Sequence, residues 1–432
     1  MFKSKRKVLI VSLLMVLFLG FSSLVGAKSI TVLVEGGGPA HKVAESTAEE
    51  FEKISGYEVI IETAPYDGIY DKMRAEIASP TGAYDVATID VLWIPFLYNG
   101  LLPLDDVLTE DMKNDFFPGL VEGGSINNNS YGIPVWTNSK LLLYRKDLFN
   151  NEEYKKEFNK EYGYELEVPK NWEEFRDVAK FFTKDLDNDG VTDLYGTAVI
   201  GGNHGDSVTG WLEHSLQAGA ESLVIDDKGD IVINKEPYIE GLNFLNKIVN
   251  EDKSVPSGTL EMLIPQAANL FWDGKLAMTL TWGHFYVPSN DPEQSSIAGN
   301  VGVAPMISGD KGIGAIPGPW YQVVPESSNE KEIAKEYLRF LYERNNLYLE
   351  ELGVAARESV FNAFKDKKGY EHLEPMMKTL NAEQTKNRPA IREWQRIESE
   401  ALIPAVQYTL GGSKTVEESI EWANEQIENI LK

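Results

Sequence analysis

Apolar positions along the chain alternate between the two-residue period of strands and the three-to-four-residue period of helices. Residues 57–62 (YEVIIE) and 84–89 (YDVATI) are short, β-branched runs of strand type, and 70–77 between them has helical spacing. Strand, helix and strand in succession predict a βαβ unit and a parallel sheet. Upstream, 29–34 reads as a further strand, followed by Glu35-Gly36-Gly37-Gly38-Pro39. A helix comes next, with Val43, Thr47, Ala48, Phe51 and Ile54 on one face and Gly56 as its stop. Residues 131–144 (YGIPVWTNSKLLLY) predict two strands around a polar break at 136–139, which suits a crossing between lobes. Asn171 caps an amphipathic helix with acids in its first turn. The turn 226–230, with Asp227 as a turn residue, leads into a hairpin at 231–233. Residues 276–281 predict a strand that ends in aromatic residues, and 331–342 and 415–432 predict helices.

In open α/β sheets, ligands sit beyond the carboxyl ends of strands. Asp90 and Trp93 follow the 84–89 run directly, so they are expected to place a hydrogen-bonding carboxylate and a flat apolar face in that crevice. The pattern recurs at Trp282-Gly283-His284-Phe285-Tyr286 after 276–281, and at Trp320 in the GPW turn. A pyranose has an apolar C–H face and a ring of hydroxyls, so its site needs both kinds of group. For Trp172, at a helix start, packing is the expected role.

The amino terminus changes the picture of the compartment. MFKSKRK is basic, 8–19 is apolar, and Val25-Gly26-Ala27 has small residues where signal peptidase cleaves. A secretory signal peptide over 1–27, cleaved after Ala27, is expected, since the apolar stretch is short for a membrane anchor. The chain has no cysteine, so disulfides, thiol catalysis and a lipidated cysteine are excluded, and a free periplasmic or extracellular protein is expected. Cleavage removes four basic residues and no acidic ones, taking the formal charge from -26 to -30. So acidic a protein repels nucleic acid and anionic lipid, and neither is an expected partner. The length calls for two lobes.

Other chemistry is thinner. The glycine run at 36–38 has neither the GK[ST] ending of a phosphate loop nor the spacing of a dinucleotide fingerprint, and reads as a tight turn. The five histidines (His41, His204, His214, His284, His372) lack zinc spacing. Asp185, Asp187, Asp189 and Asp193 alternate around Gly190 as in a calcium loop, but Gly196 stands where a bidentate glutamate belongs. A structural calcium or a solvated turn are the two readings of that loop, and no cofactor is required.

The order of segments resembles the extracellular solute-binding proteins of family 1, the sugar-binding subunits of bacterial ABC importers that include maltose-binding protein. The resemblance is carried by FEKISGYEV at Phe51, GAYDVATIDVLW at Gly82, NGLLPLDD at Asn99, YGIPVWTNSKLLLYRKDLF at Tyr131, NWEEFRDVAKFFT at Asn171, FWDGKLAMTLTWG at Phe271, GPWYQVVPESSNEKEIAKEYLRFL at Gly318 and TVEESIEWANEQI at Thr415. It implies a two-lobed α/β periplasmic-binding-protein fold of type II, with the ligand cleft between lobes: 28–137 and 305–355 in the N-terminal lobe, 138–304 and 356–432 in the C-terminal lobe. It places Asp90, Trp93 and Asn138 in the cleft, then Glu35, Trp282, His284 and Trp320. Trp211, Asp206, Tyr66, Arg357 and Trp394 lie in segments where relatives contact ligand less uniformly. The implied partners are a carbohydrate and the permease subunits of an importer, with the receptor a monomer.

A non-catalytic carbohydrate receptor is therefore the leading expectation. A receptor for a polyol or another small solute is the alternative, although a phosphate ligand calls for more basic residues than Arg357. A secreted glycoside hydrolase using Glu35 and Asp90 as its carboxylate pair is the remaining reading. Asp90→Ala is expected to lose most of the binding affinity with little effect on thermal stability.

Overall fold

The computed structural model describes residues 28–432 apart from Asp227 and Ala390. The expected signal peptide and the turn role of Asp227 thus lie outside the described residues. The principal strands, in chain order, are β1 (Ser29–Glu35), β2 (Glu58–Ala64), β3 (Val86–Asp90), β4 (Ile133–Trp136), β5 (Lys140–Arg145), β6 (Met278–Trp282), β7 (Val301–Ala304) and β8 (Trp320–Val323). They form two sheets, ordered β2-β1-β3-β8-β4 in the first lobe and β6-β5-β7 in the second. β1 runs parallel to both β2 and β3, joined by the helices Pro39–Ser55 (α1) and Tyr66–Ala78 (α2). This is the βαβ arrangement that the alternating periods predict. β8 inserts antiparallel between β3 and β4, pairing Trp320 with Asp90 on one side and with Trp136 on the other.

Side chains alternate across a strand, and β1 shows the consequence. Ile30, Val32 and Val34 face a core with Phe51, Tyr337 and Leu349, whereas Leu33 faces Ile69, Met73 and Ile89. Both faces are covered, as a parallel sheet requires. The cluster on the Leu33 face is continuous with the interior of the second lobe, joining Trp93 to Trp211 and Leu402.

Several boundaries match the sequence closely. Asn171 accepts a hydrogen bond from the Glu174 amide at 3.0 Å and starts the helix Trp172–Phe181. Thr415 caps the last helix, Val416–Leu431, in a capping box with Glu418. The polar break occupies 137–139, between β4 and β5. The expected hairpin at 231–233 reduces to one bridge between Ile225 and Ile231.

The lobe boundaries differ from those the resemblance implies. Residues 305–316, expected in the first lobe, follow the second: Ser308 donates its amide to Lys170 O at 2.8 Å, and Gly314 abuts Leu216. Conversely Ala356, Val360 and Phe361, expected in the second lobe, pack with the core of the first, whereas the helix Leu373–Leu380 lies against β5 of the second lobe as expected. The chain re-enters the first sheet only at β8, and the segments after it cover the sheet face that β1 leaves open.

Candidate functional site between the lobes

The site begins where β3 ends. Asp90 Oδ1 accepts the Leu92 amide at 2.9 Å, capping the short helical turn Val91–Trp93, and Oδ2 accepts the Tyr66 hydroxyl at 3.2 Å. The carboxylate is therefore half committed to its own backbone, which a reading of strand ends did not foresee. Glu35, at the end of neighbouring β1, has its pKa raised by burial and then by the charge of Asp90.

Around Asp90 the rings pack tightly. Tyr66 lies 4.7 Å from Trp93 and 5.7 Å from Trp320, and Trp320 stacks on Trp136 at 5.2 Å with 21° between planes. Trp93 is 1 % exposed, sealed beneath Tyr66, Tyr70 and Trp320. Of the tryptophans expected as plates in this lobe, Trp320 is half-buried, while Trp93 packs against it from the interior.

The second lobe contributes Trp282, whose indole N–H donates to Asp206 Oδ1 at 3.0 Å. Gly318 lets the crossing segment pass: a Cβ there would stand 3.1 Å from the Trp282 ring. The Gly318 amide donates to Asn138 O at 3.0 Å and the Val91 amide to Pro319 O at 3.3 Å, so this segment ties the end of β3 to the 137–139 crossing. Asn138 Oδ1 accepts the Ser139 amide and Asn138 Nδ2 donates to His284 Nδ1 at 2.6 Å. A ring nitrogen that accepts is unprotonated, in keeping with a His284 pKa lowered to about 4, chiefly by burial.

Charge is concentrated here. Burial raises the pKa of Asp206, but His204, Lys140 and the Trp282 hydrogen bond outweigh it and hold the carboxyl below its usual range. Lys140 Nζ lies 2.9 Å from Glu213 Oε2, a pair almost wholly buried, and 5.7 Å from the Trp282 ring centroid. Burial raises the pKa of Glu398, against the opposing influence of Arg388 and His204. Glu398 Oε2 stands 2.8 Å from where a Cβ on Gly205 would be, so the acid sits at the positive end of the helix Gly205–Ala218.

Three expected site residues lie elsewhere. Trp211 is 0 % exposed and donates to Tyr238 O at 2.8 Å, so it packs the second lobe's interior. Trp394 is 1 % exposed and equally a core residue. Arg357 bonds Asp115 at 2.6 Å and Tyr342 O at 2.9 Å, both in the first lobe away from the ring cluster. Its sequence context, a lone arginine in a loop, does not distinguish a ligand group from this local pair. Trp172 packs as expected, stacked 4.6 Å from Phe244.

In the Asp-rich loop, Asp185, Asp187 and Asp193 bring carboxylate oxygens within 4.8 Å of one another, but Asp189 is not of that group. Each of these acids also accepts a backbone amide, so the loop supports its own turns. A side chain at Gly196 would meet Ala179 O at 1.9 Å, so a glutamate there is sterically excluded and not merely absent.

The sequence reading missed Arg388, Glu398, Lys140 and Glu213. Lys140 had a usable signal, being a charge within the apolar run of β5. Arg388 had none, since KNRPAIRE resembles any polar loop.

The two-lobed fold is shared with solved structures. The maltose-bound MalE3 of T. maritima superimposes with a TM-score of 0.77 at 23 % identity, covering 94 % of this chain and 100 % of that one. An ABC transporter solute-binding protein from Agrobacterium radiobacter in complex with ribitol gives 0.76 at 22 % identity, covering 93 % and 98 %. By sequence, a probable ABC transporter-binding protein of Deinococcus radiodurans is 23 % identical over 79 % of this chain and 78 % of its own. The galactooligosaccharide-binding protein of Bacillus subtilis is 24 % identical over 72 % and 69 %. The profile of the family described as bacterial extracellular solute-binding protein matches residues 38–345, and the chain belongs to that family.

Proposed function

We propose that this protein is the receptor subunit of an ABC importer, capturing a neutral carbohydrate or polyol between its lobes and releasing it unchanged to a membrane permease. The observation that carries the reading is the meeting, between the lobes, of indole groups (Trp320, Trp282) with hydrogen-bonding carboxylates at the end of β3 (Asp90) and the start of the helix Gly205–Ala218 (Asp206). The ligands of the structural relatives, maltose and ribitol, support the same class. The reading includes export directed by residues 1–27, cleavage after Ala27, and a monomeric protein free of lipid. A thermal-shift screen across mono-, di- and trisaccharides and polyols, followed by calorimetry, tests it. A saturable shift with one neutral member is expected, and none across the panel would reject the reading. Steady product release from labelled oligosaccharides would replace it with the hydrolase reading.

A further inference from the structure

Among the charged groups of the cleft, Arg388 is the least explained by the fold. It lies between the helices Leu373–Leu380 and Trp394–Ile397, in a strap that touches both lobes: Asn387 Nδ2 donates to Gly119 O at 3.3 Å, and the Lys386 amide to Ala315 O at 3.1 Å. Its side chain is 12 % exposed, and one guanidinium nitrogen (Nη2) faces Asp90 Oδ1 at 3.8 Å. That separation is too long for a hydrogen bond. Its Nε is buried with no hydrogen-bond partner among the described residues. A buried donor left without an acceptor is costly, and a guanidinium so placed invites an oxygen. Lys140, whose Nζ lies 5.7 Å from the Trp282 ring centroid, is already paired with Glu213.

We propose that Arg388 and Asp90 together read the hydroxyl groups of the ligand, making Arg388 a binding residue that selects neutral polyhydroxy compounds over their acids. The inference rests on the receptor reading above and specifies its ligand chemistry. An oxygen about 2.8 Å from both atoms closes a triangle over their 3.8 Å separation, donating its proton to Asp90 while accepting from Arg388. A hydroxyl can do both at once. A carboxylate or phosphate oxygen can only accept, and would bring its charge against Asp90 and beside Glu35, Asp206 and Glu398, whose charges already oppose those of Arg388 and Lys140. An ammonium could donate to Asp90 but would meet Arg388. The pair is thus suited to a hydroxyl and unsuited to either kind of ion.

The test is calorimetry on the full mature chain with maltose, ribitol, D-mannitol and D-tagatose, each set against an acid of the same carbon skeleton: maltobionate, D-ribonate, D-mannonate and D-tagaturonate. Wild type is expected to bind at least one neutral probe and to bind its acid at least about 30-fold more weakly, the ratio set by one charge-assisted hydrogen bond. Arg388→Met is expected to lose a similar factor for the neutral probe, and Arg388→Lys, which keeps the charge but not the fork, part of it. Thermal melts of each variant separate binding from folding, and should Arg388→Met fail to fold, Arg388→Lys and the acid comparison still decide. Neutral-probe affinity within threefold of wild type in Arg388→Met, or an acid bound as tightly as its neutral counterpart, overturns the role of Arg388 alone. Wild type that binds none of the neutral probes rejects the receptor reading for this ligand class, and the inference falls with it.

Discussion

The indole N–H of Trp282 and the carboxylate of Asp206, 76 residues apart in sequence, meet at 3.0 Å and fix the orientation of the second lobe's aromatic plate. Asp206 is in turn held by His204 at 2.9 Å and by the field of Lys140. The plate's position is therefore a property of a charged network and not of apolar packing alone.

This predicts that Asp206→Ala weakens ligand binding about tenfold by releasing the indole, while Asp206→Asn, which still offers an acceptor, loses less. Calorimetry with the strongest neutral ligand checks the order. Equal affinities for both variants would show that the indole is positioned without Asp206.

Asp90→Ala should cost stability as well as binding, contrary to the sequence expectation. The carboxylate caps the Leu92 amide, accepts from Tyr66 and faces Arg388, and removing it leaves the amide and the hydroxyl without their acceptor and the guanidinium without its counter-charge. A loss of about 2–4 kcal/mol in urea unfolding is expected, with Asp90→Asn milder because its amide oxygen can still cap the turn. Unchanged stability in Asp90→Ala would show that the cap carries no load.

Stability should fall as pH drops from about 6.5 toward 4. His214, His284 and His372 are each held neutral by burial, with pKa values lowered to about 4. In that window the unfolded chain binds protons that the native protein refuses, so the equilibrium shifts toward unfolding as pH falls, and levels off for these groups once pH passes below 4. Each histidine contributes on the order of 1–3 kcal/mol across the window. Urea midpoints at pH 7, pH 5 and pH 4 follow the loss across the window, and His214→Gln should flatten the pH dependence. A midpoint insensitive to pH would contradict the buried neutral state.

Ligand should compact the protein in solution, because it touches both lobes and so favours the closed arrangement by its differential contacts. Small-angle scattering with and without saturating ligand measures this. An unchanged radius of gyration would mean that the lobes do not move about the 137–139 and 314–319 crossings.

Much of the first lobe was legible because its signals are local. The β1 and β3 runs, the Gly56 stop, the Asn171 cap and the polar break before Lys140 each depend on residues within a few positions, and each falls within two or three residues of its observed place. Asp90, Tyr66 and Trp320 were legible as members of the cleft because strand ends mark it. The lobe boundaries after 304 were not, since a segment such as 356–364 is amphipathic whichever lobe it covers.

The sequence by itself determined the alternating α/β pattern, the acidic surface, the lack of thiol chemistry and the family to which the chain belongs. Only the tertiary structure decided which tryptophan is plate, prop or core, because burial depends on what arrives from distant segments: Trp93 is covered by Tyr66 and Trp320, and Trp211 by its own lobe. It alone also brought Arg388 to Asp90, nearly 300 positions apart, since pairing of charges follows distance in space and leaves no periodic trace along the chain.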